Sequence, residues 1–518
     1  MLVKIFGGAI NGIEATTITI EVNILWGAKF IIVGLPDNAV KESQQRVDSA
    51  LREIGSRIPG KRIIVNMAPA DVKKEGSAYD LPLAIGILAA NEEIPTEGLE
   101  QFVIMGELSL DGTLLPVKGV LPISINAQTA GFTNMIVPYE NANEASVVKG
   151  LKVYGFHHLR EVISFLNGKD KGIPFIFDPA QTNIGDTELT ACDFKDVKGQ
   201  ENVKRAMEIA AAGGHNMLMI GPPGSGKTML ARRLPGILPP MTTEESLETT
   251  KIHSVAGKLK RNSALISTRP FRSPHHTISD IALIGGGSFP RPGEISLACN
   301  GVLFLDELPE FKRSALEVMR QPLEDRKISV SRAKFSVEYP ANFMLIASMN
   351  PCPCGYYTHP TKECSCTGQT IQRYLSKISG PLLDRIDIHI EVIPVELEKI
   401  TGTQQGEPTK DIRERVIRAR NIQNERFSPY PGIHSNAQMN SALLRKFCPL
   451  DTQCISLLKI AMQKFGLSAR AYDRIIKLSR TIADLAGTGQ ITPHHIAEAI
   501  QYRCLDREAW GSRISYPT

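Results

Sequence analysis

The sequence predicts an α/β protein in three parts: a mixed α/β domain over residues 1–165, an α/β core over 191–395 and a helical lid over 396–518, with a linker at 166–190. Three observations carry this reading. At 518 residues the chain is longer than one hydrophobic core serves. Its first third mixes strand-period and helix-period apolar patterns, and its middle holds continuous apolar runs that suit a parallel sheet covered on both faces. Its last quarter is largely helical in period.

Composition narrows the class. Hydrophobic residues at 42% and charged ones at 22% are those of a soluble globular protein. A net charge of +5 permits an anionic partner, and argues for one only where basic residues cluster. The opening "MLVKIFGGAINGIEATTITIEV" carries Lys4, Glu14 and Glu21 and lacks the apolar run of a secretory signal. Nowhere are there the ~18 uninterrupted apolar residues of a membrane span. Nine cysteines are an odd number for a disulfide framework, and four of them crowd into residues 352–366. The expectation is a cytoplasmic protein without membrane partners.

Element by element, "TITIEVNI" places Ile18, Ile20, Val22 and Ile24 on one face of a strand. "NAVKESQQRVDSALREIG" then shifts to helical spacing, with Val40, Val47, Leu51 and Ile54 on one stripe behind Asp37 as N-cap. "RIIVNM" and "MIVPY" follow as strands. "NMLMI", "VLFLDEL" and "NFMLIASMN" read as the buried strands of the core. "KDIRERVIRARNIQ", "QCISLLKIAMQKFG" and "AYDRIIKLSRTIADLA" are lid helices, and Thr492–Pro493 starts a last one.

Between the first core strand and the helix "MLARRL" lies "GPPGSGKT": Gly221, Pro222, Pro223, Gly224, Ser225, Gly226, Lys227 and Thr228. It fits G-x-x-x-x-G-K-[ST] at every fixed position. Glycines let backbone N–H groups wrap phosphates, and the helix N-terminus adds its positive end. Lys227 is expected to reach the β- and γ-phosphates of ATP and the Thr228 hydroxyl to bind Mg²⁺. "GVLFLDEL" delivers Asp306 and Glu307 to a strand's carboxyl end, the edge where ligands bind in such sheets. Asp306 is placed to hold Mg²⁺ and Glu307 to polarise the attacking water. Asn350 ends the next strand. Local chemistry leaves it two roles, a turn residue before Pro351 or an amide that orients water or senses the γ-phosphate.

These pieces, with "RPFRSPHHTIS", "GEISLACNGVLFLDELPEF", "NPCPCG" and "SGPLLDRIDI", resemble the YifB/ComM family, magnesium-chelatase-like AAA+ ATPases, over nearly the whole chain. The resemblance implies a P-loop AAA+ αβα core and a homo-oligomeric ring, a hexamer, with ATP sites between subunits. It implies that Arg385 of "LLDRID" is the finger reaching the neighbour's γ-phosphate, and Arg470 of "SARA" the lid arginine. Local chemistry alone offers Arg385 a pair with Asp384 or Asp387, and Arg470 a solvated face. "DVKGQ" (Asp196 to Gln200) resembles the segment packing near the adenine. The N-terminal domain resembles the proteolytic domain of Lon (ribosomal S5 domain 2-like). Its nucleophile position falls on Ala78, with Ser77 one place early, and its lysine position on Leu121, with Lys118 nearby. A serine–lysine pair needs a base within reach of its hydroxyl, so no proteolysis is expected.

What the energy moves is read from charge. Between Glu248 and Asp280 no acidic residue occurs, yet Lys251, Lys258, Lys260, Arg261, Arg269 and Arg272 do. That is either a solvated face or a phosphate-backbone contact. "ISVSRAKFSVEY" reads as a hairpin with Arg332 and Lys334 around its turn. By likeness to related ring helicases these two contact single-stranded or branched DNA through phosphates; the other reading is a solvated turn. Branch migration in recombination or natural transformation is the function expected. A magnesium-chelatase-like metal-insertion motor subunit and a Lon-like protease or protein-remodelling ATPase are the alternatives. His275 and His276, whose adjacent side chains are expected to point apart, read as a nucleotide-adjacent or subunit contact. Finally, "CPCGYYTHPTKECSC" offers Cys352, Cys354, Cys364 and Cys366, four thiolates able to close a structural tetrahedral Zn²⁺ site, with His359 as a substitute ligand. The C-x-C spacing departs from the commoner C-x₂-C.

Overall fold

The computed structural model describes residues 2–58, 60–177, 192–260, 263–287, 290–332, 335–357, 359–395, 398 and 406–503. Much of the expected linker, from residue 178 onward, lies outside them, as does Lys334.

The N-terminal domain is built on a seven-stranded mixed sheet. Its strands are β1 (Leu2–Asn11), β2 (Glu14–Leu25), β3 (Phe30–Val33), β4 (Arg62–Ala68), β5 (Phe102–Ile104), β8 (Asn134–Pro138) and β9 (Lys152–Phe156), in the order β3-β4-β2-β1-β5-β8-β9. A small ribbon, β6 (Glu107–Leu108) and β7 (Leu114–Leu115), lies outside it. The alternation in β2 does what its period demands: Ile18, Ile20 and Val22 are fully buried. The helix Asn38–Glu53 starts where Asp37 accepts the Val40 N–H at 2.8 Å, and it buries Val40, Val47 and Leu51. The helix Asp80–Ala90 is buried at every position and runs through the middle. Its one charge, Asp80, is held bidentately by Arg46 at 2.6 and 3.0 Å.

The core is a five-stranded, wholly parallel sheet in the order β11-β14-β17-β10-β18. The strands are β10 (Met217–Ile220), β11 (Phe271–Arg272), β14 (Val302–Leu305), β17 (Met344–Met349) and β18 (Ile388–Glu391). Every residue of β10, β14 and β17 is buried. Alternate residues serve opposite faces. Met217, Met219, Val302, Phe304 and Ile346 join a core shared with the helical lid, while Leu218, Ile220, Leu303, Leu305 and Leu345 face the other way. That two-sided burial, roughly 1.5–3 kcal/mol per large aliphatic side chain, is why these strands read as unbroken apolar runs. The two edge strands do not, since β11 has two half-buried residues and β18, Ile-His-Ile-Glu, buries only its first two.

Two excursions leave this sheet: a ribbon of β12 (Gly285–Gly286) and β13 (Arg291–Pro292), and a hairpin of β15 (Lys327–Arg332) and β16 (Phe335–Pro340). The hairpin has the expected alternation, with Ile328, Val330, Val337 and Tyr339 on its buried face. The lid holds the helices Thr409–Phe427, Thr452–Phe465, Ala469–Leu485 and Pro493–Gln501. No helix among the described residues is long and apolar enough to cross a membrane.

The first domain docks on the core. The buried Glu144 carboxyl accepts the Leu121 N–H at 2.8 Å and the Ser254 hydroxyl, and Gly119 N–H donates to the Ser254 carbonyl at 3.2 Å. Ser254 belongs to the core helix Thr243–Ala256. The β1–β2 turn meets the hairpin so closely that a Cβ on Gly12 would lie 2.5 Å from Val337 Cγ1. The segment that resembles the one around the Lon lysine is thus turned toward the second domain: Leu121 is buried, and the Lys118 stem lies against Gly257.

Candidate nucleotide site and cysteine cluster

The loop 221–228 follows β10 and runs into the helix Lys227–Ile237, whose N-cap Gly226 has φ +89°. An L side chain is strained there, which is what glycine at this place avoids. Lys227 is 9% exposed; its ammonium donates to the carbonyls of Gly221 (2.7 Å) and Pro222 (3.0 Å) and to Asn350 Oδ1 (3.3 Å). Burial pushes its pKa down, against the pull of Asp306 and Glu307.

Because β17 lies between β14 and β10, the ends of all three strands converge. Asn350 follows β17 and meets Lys227; Asp306 follows β14 and accepts the Thr228 hydroxyl at 2.7 Å. The second Asp306 oxygen accepts the Ser348 hydroxyl. Ser348 is fully buried within β17, and sequence reasoning missed it; a lone hydroxyl inside the apolar run "MLIASM" was the available signal. Glu307 is exposed, has φ +55°, and lies 3.9 Å from His276 Nδ1. A non-glycine residue in that region costs backbone strain and persists where its surroundings hold it. His275 and His276 do not point apart as expected. Their ring centroids are 4.1 Å from each other.

These residues fit a Mg²⁺–triphosphate. A buried ammonium at a helix N-terminus has only neutral carbonyl and amide oxygens as hydrogen-bond partners, and the buried Ser225 hydroxyl has no partner among the described residues. Gln200, from the segment likened to an adenine neighbour, donates to Ser225 O at 2.8 Å and Ile393 O at 3.2 Å, and its buried Oε1 is unpartnered.

Arg385 and Arg470 stand apart from this cluster. The Asn216 amide, at the start of β10, donates to the Arg385 carbonyl at 3.1 Å, which puts Arg385 at the sheet edge opposite the P-loop. Its guanidinium is 6% exposed and pairs with Glu324 at 2.5 Å rather than with Asp384 or Asp387. Arg470 is exposed on the first turn of the helix Ala469–Leu485. Asp387 takes Arg474 instead, and the Asn216 N–H at 3.0 Å. Of the basic insert, Arg269 and Arg272 are bound by Glu245 and Glu294. Arg332 ends β15, its backbone opposite that of Phe335.

The four cysteines converge. Their Sγ atoms all lie within 4.8 Å of one another, with Cys352–Cys354 at 3.3 Å and Cys364 at 3.6 Å from both. A tetrahedron with ~2.3 Å Zn–S bonds has S···S edges of about 3.8 Å, so the four thiols fit that ion. His359 is otherwise engaged: its Nδ1 accepts the N–H groups of Thr361 and Lys362 at 3.1 and 3.0 Å. The cluster abuts the P-loop, since a Cβ on Gly355 would fall 2.5 Å from Pro223 Cδ.

Comparison with known proteins agrees with this geometry. Competence protein ComM of Haemophilus influenzae is 46% identical over 510 residues, 98% of each chain. The chain belongs to the ComM/YifB family. YifB of Salmonella typhimurium and of Escherichia coli are 43% and 42% identical, each over 96% of both chains. Three family models match in turn: "Subunit ChlI of Mg-chelatase" over 20–141, "Magnesium chelatase, subunit ChlI" over 193–400 and its C-terminal model over 406–503. The family is thus one of magnesium-chelatase-like AAA+ ATPases. Lon protease 2 of Bacillus subtilis is 30% identical over 155 residues, 28% of this chain, which fits the Lon-like first domain.

Proposed function

We propose that this ATPase is a ring motor acting on DNA, driving branch migration during recombination or the processing of incoming DNA. The observation that supports the reading is the β15–β16 hairpin, which leaves the core directly ahead of the strand leading to Asn350 and has Arg332 as the last residue of β15, with Lys334 close after it in the sequence. Cations on such a hairpin suit a phosphate backbone and carry no base information. The word "competence" in the name of the Haemophilus relative supports the same direction.

In the mechanism proposed, Lys227 and the loop N–H groups hold the β- and γ-phosphates, and Thr228 and Asp306 hold Mg²⁺. Bound there, Mg²⁺ would neutralise charge developing on the phosphates. Glu307 takes the proton of the attacking water, and Asn350 orients that water. Arg385, on the far edge of its own sheet, serves the site of a neighbouring copy in a ring, a hexamer by family likeness, and Arg470 closes the lid. The cysteine cluster binds a structural zinc that braces the P-loop. A metal-insertion motor is the second reading, favoured by the chelatase name of all three family models, the one over the first domain included.

Steady-state ATP hydrolysis with and without single-stranded and four-way-junction DNA separates the two, with Lys227→Ala as blank. The expected result is strong DNA stimulation that disappears in Arg332→Ala/Lys334→Ala. Hydrolysis indifferent to every DNA overturns the DNA reading.

A further inference from the structure

We propose that a cleft between the ATPase core and the lid is a binding site for a divalent tetrahedral oxyanion, with phosphate as its cellular form. The cleft has a volume of about 60 Å³, against the ~10–15 Å³ that one water requires on the same kind of measure. Gly301 and Phe343, each the residue before a strand of the parallel sheet, and Gly214, three residues before β10, line it, so it lies at the edge opposite the P-loop.

Three guanidinium groups line this cleft: Arg269, Arg326 and Arg420. Arg269 is fully engaged. It takes both Glu245 oxygens at 2.9 and 3.2 Å and the carbonyls of Pro239 (2.6 Å) and Asn300 (2.7 Å). Arg326 and Arg420 have only neutral partners. Arg326 donates to Asn342 Oδ1 at 2.5 Å. Arg420 donates to the carbonyls of His434 (3.3 Å) and Ala211 (3.0 Å), and its buried Nε has no partner. Among the described residues neither has a carboxylate in ion-pair contact. Among the groups lining the cleft, three guanidiniums face one carboxylate, Glu245; Asp387 attracts Arg326 from outside the lining but is itself paired with Arg474, so the cleft keeps an excess of positive charge.

Buried charge without a counter-charge is costly, and planar guanidinium forks match the oxygens of a phosphate. Burial pulls both arginines down to about 10, which leaves them cationic at neutral pH. A doubly charged ligand balances the excess where a carboxylate neutralises half of it. The site also joins moving parts. Arg326 is the residue before β15, at the root of the hairpin, while Arg420 lies on the lid helix Thr409–Phe427. An anion held by both ties hairpin to lid.

The test uses the full chain carrying Lys227→Ala, so that the P-loop does not report phosphate. Isothermal titration with sodium phosphate at fixed ionic strength is expected to give one site per chain, with acetate at least ten-fold weaker. Arg326→Gln and Arg420→Gln are each expected to weaken phosphate at least ten-fold with unchanged far-ultraviolet circular dichroism. Methyl phosphate binding as tightly as phosphate assigns the site to a phosphoester, and phosphate alone to the free ion. No saturable phosphate binding, or binding undiminished in both variants, overturns the proposal. Should the variants not fold, phenylglyoxal modification of Arg326 and Arg420 in the Lys227→Ala chain decides. Phosphate slows it and acetate does not if the site exists; equal rates overturn it.

Discussion

Ser348→Ala tests whether the site works as its geometry implies. Two hydroxyls fix Asp306, Thr228 on Oδ2 at 2.7 Å and Ser348 on Oδ1. Removing the Ser348 hydroxyl leaves Oδ1 with the Glu307 N–H alone, at 3.2 Å, and takes from that N–H its longer contact to Ser348 at 3.4 Å. A hydrogen bond to a charged group is worth about 1.5–3 kcal/mol. If that orientation is needed in the transition state, kcat falls roughly 10- to 150-fold, at about 1.4 kcal/mol per decade. The change deletes one oxygen from a fully buried strand, so the fold is expected to survive. The assay is ATP hydrolysis over a Mg²⁺ titration, in which kcat drops and the half-saturating Mg²⁺ rises. Unchanged kcat and Mg²⁺ dependence, within two-fold, would refute Ser348 as a positioning residue.

The remaining predictions concern cohesion. A double-mutant cycle of Glu144→Ala and Ser254→Ala in urea unfolding should give a coupling of about 1–3 kcal/mol across the domain contact; additivity within ~0.5 kcal/mol would deny the docking. Protein purified without chelator should carry one zinc per chain by atomic absorption, lost in Cys364→Ser, with ATPase falling as the P-loop loses its brace. Zinc far below stoichiometry would sink that site. The buried His215 and His389 have pKa values pushed below the usual histidine range by burial. The unfolded chain therefore binds their protons first. Stability should fall as pH drops below about 6.5, by up to ~1.4 kcal/mol per pH unit per histidine. Asp387, held low by Arg474 and His215 against burial, adds its own loss only below about 4. A flat melting temperature from pH 7 to 5 would contradict this.

Local chemistry is written in neighbouring residues, and that much the sequence determined alone. "GPPGSGKT" between a buried strand and a helix, the apolar runs of β10, β14 and β17, the alternating hairpin and the crowded cysteines are all patterns of short range. They were legible because periodicity and backbone requirements act within a few residues. The strands β11 and β18 were not among them: at the sheet edges, β11 has two half-buried residues and only the first two of β18's four are buried, so neither makes an unbroken apolar run.

The tertiary structure decided what meets what. Thr228 and Asp306 are 78 positions apart, Ser348 and Asp306 42, and Glu144 and Ser254 110. Nothing in the "LLDRID" stretch announces that Arg385 pairs with Glu324. Likewise the insert's positive run could not show that Arg269 is spent on Glu245, nor the sequence beyond it that Arg326 and Arg420 share one cleft and donate to neutral partners only. A charge's effect depends on its distance from its partners and on the water it has lost. Both are set by folding, so the sequence named the chemical groups and the fold alone determined their charge balance.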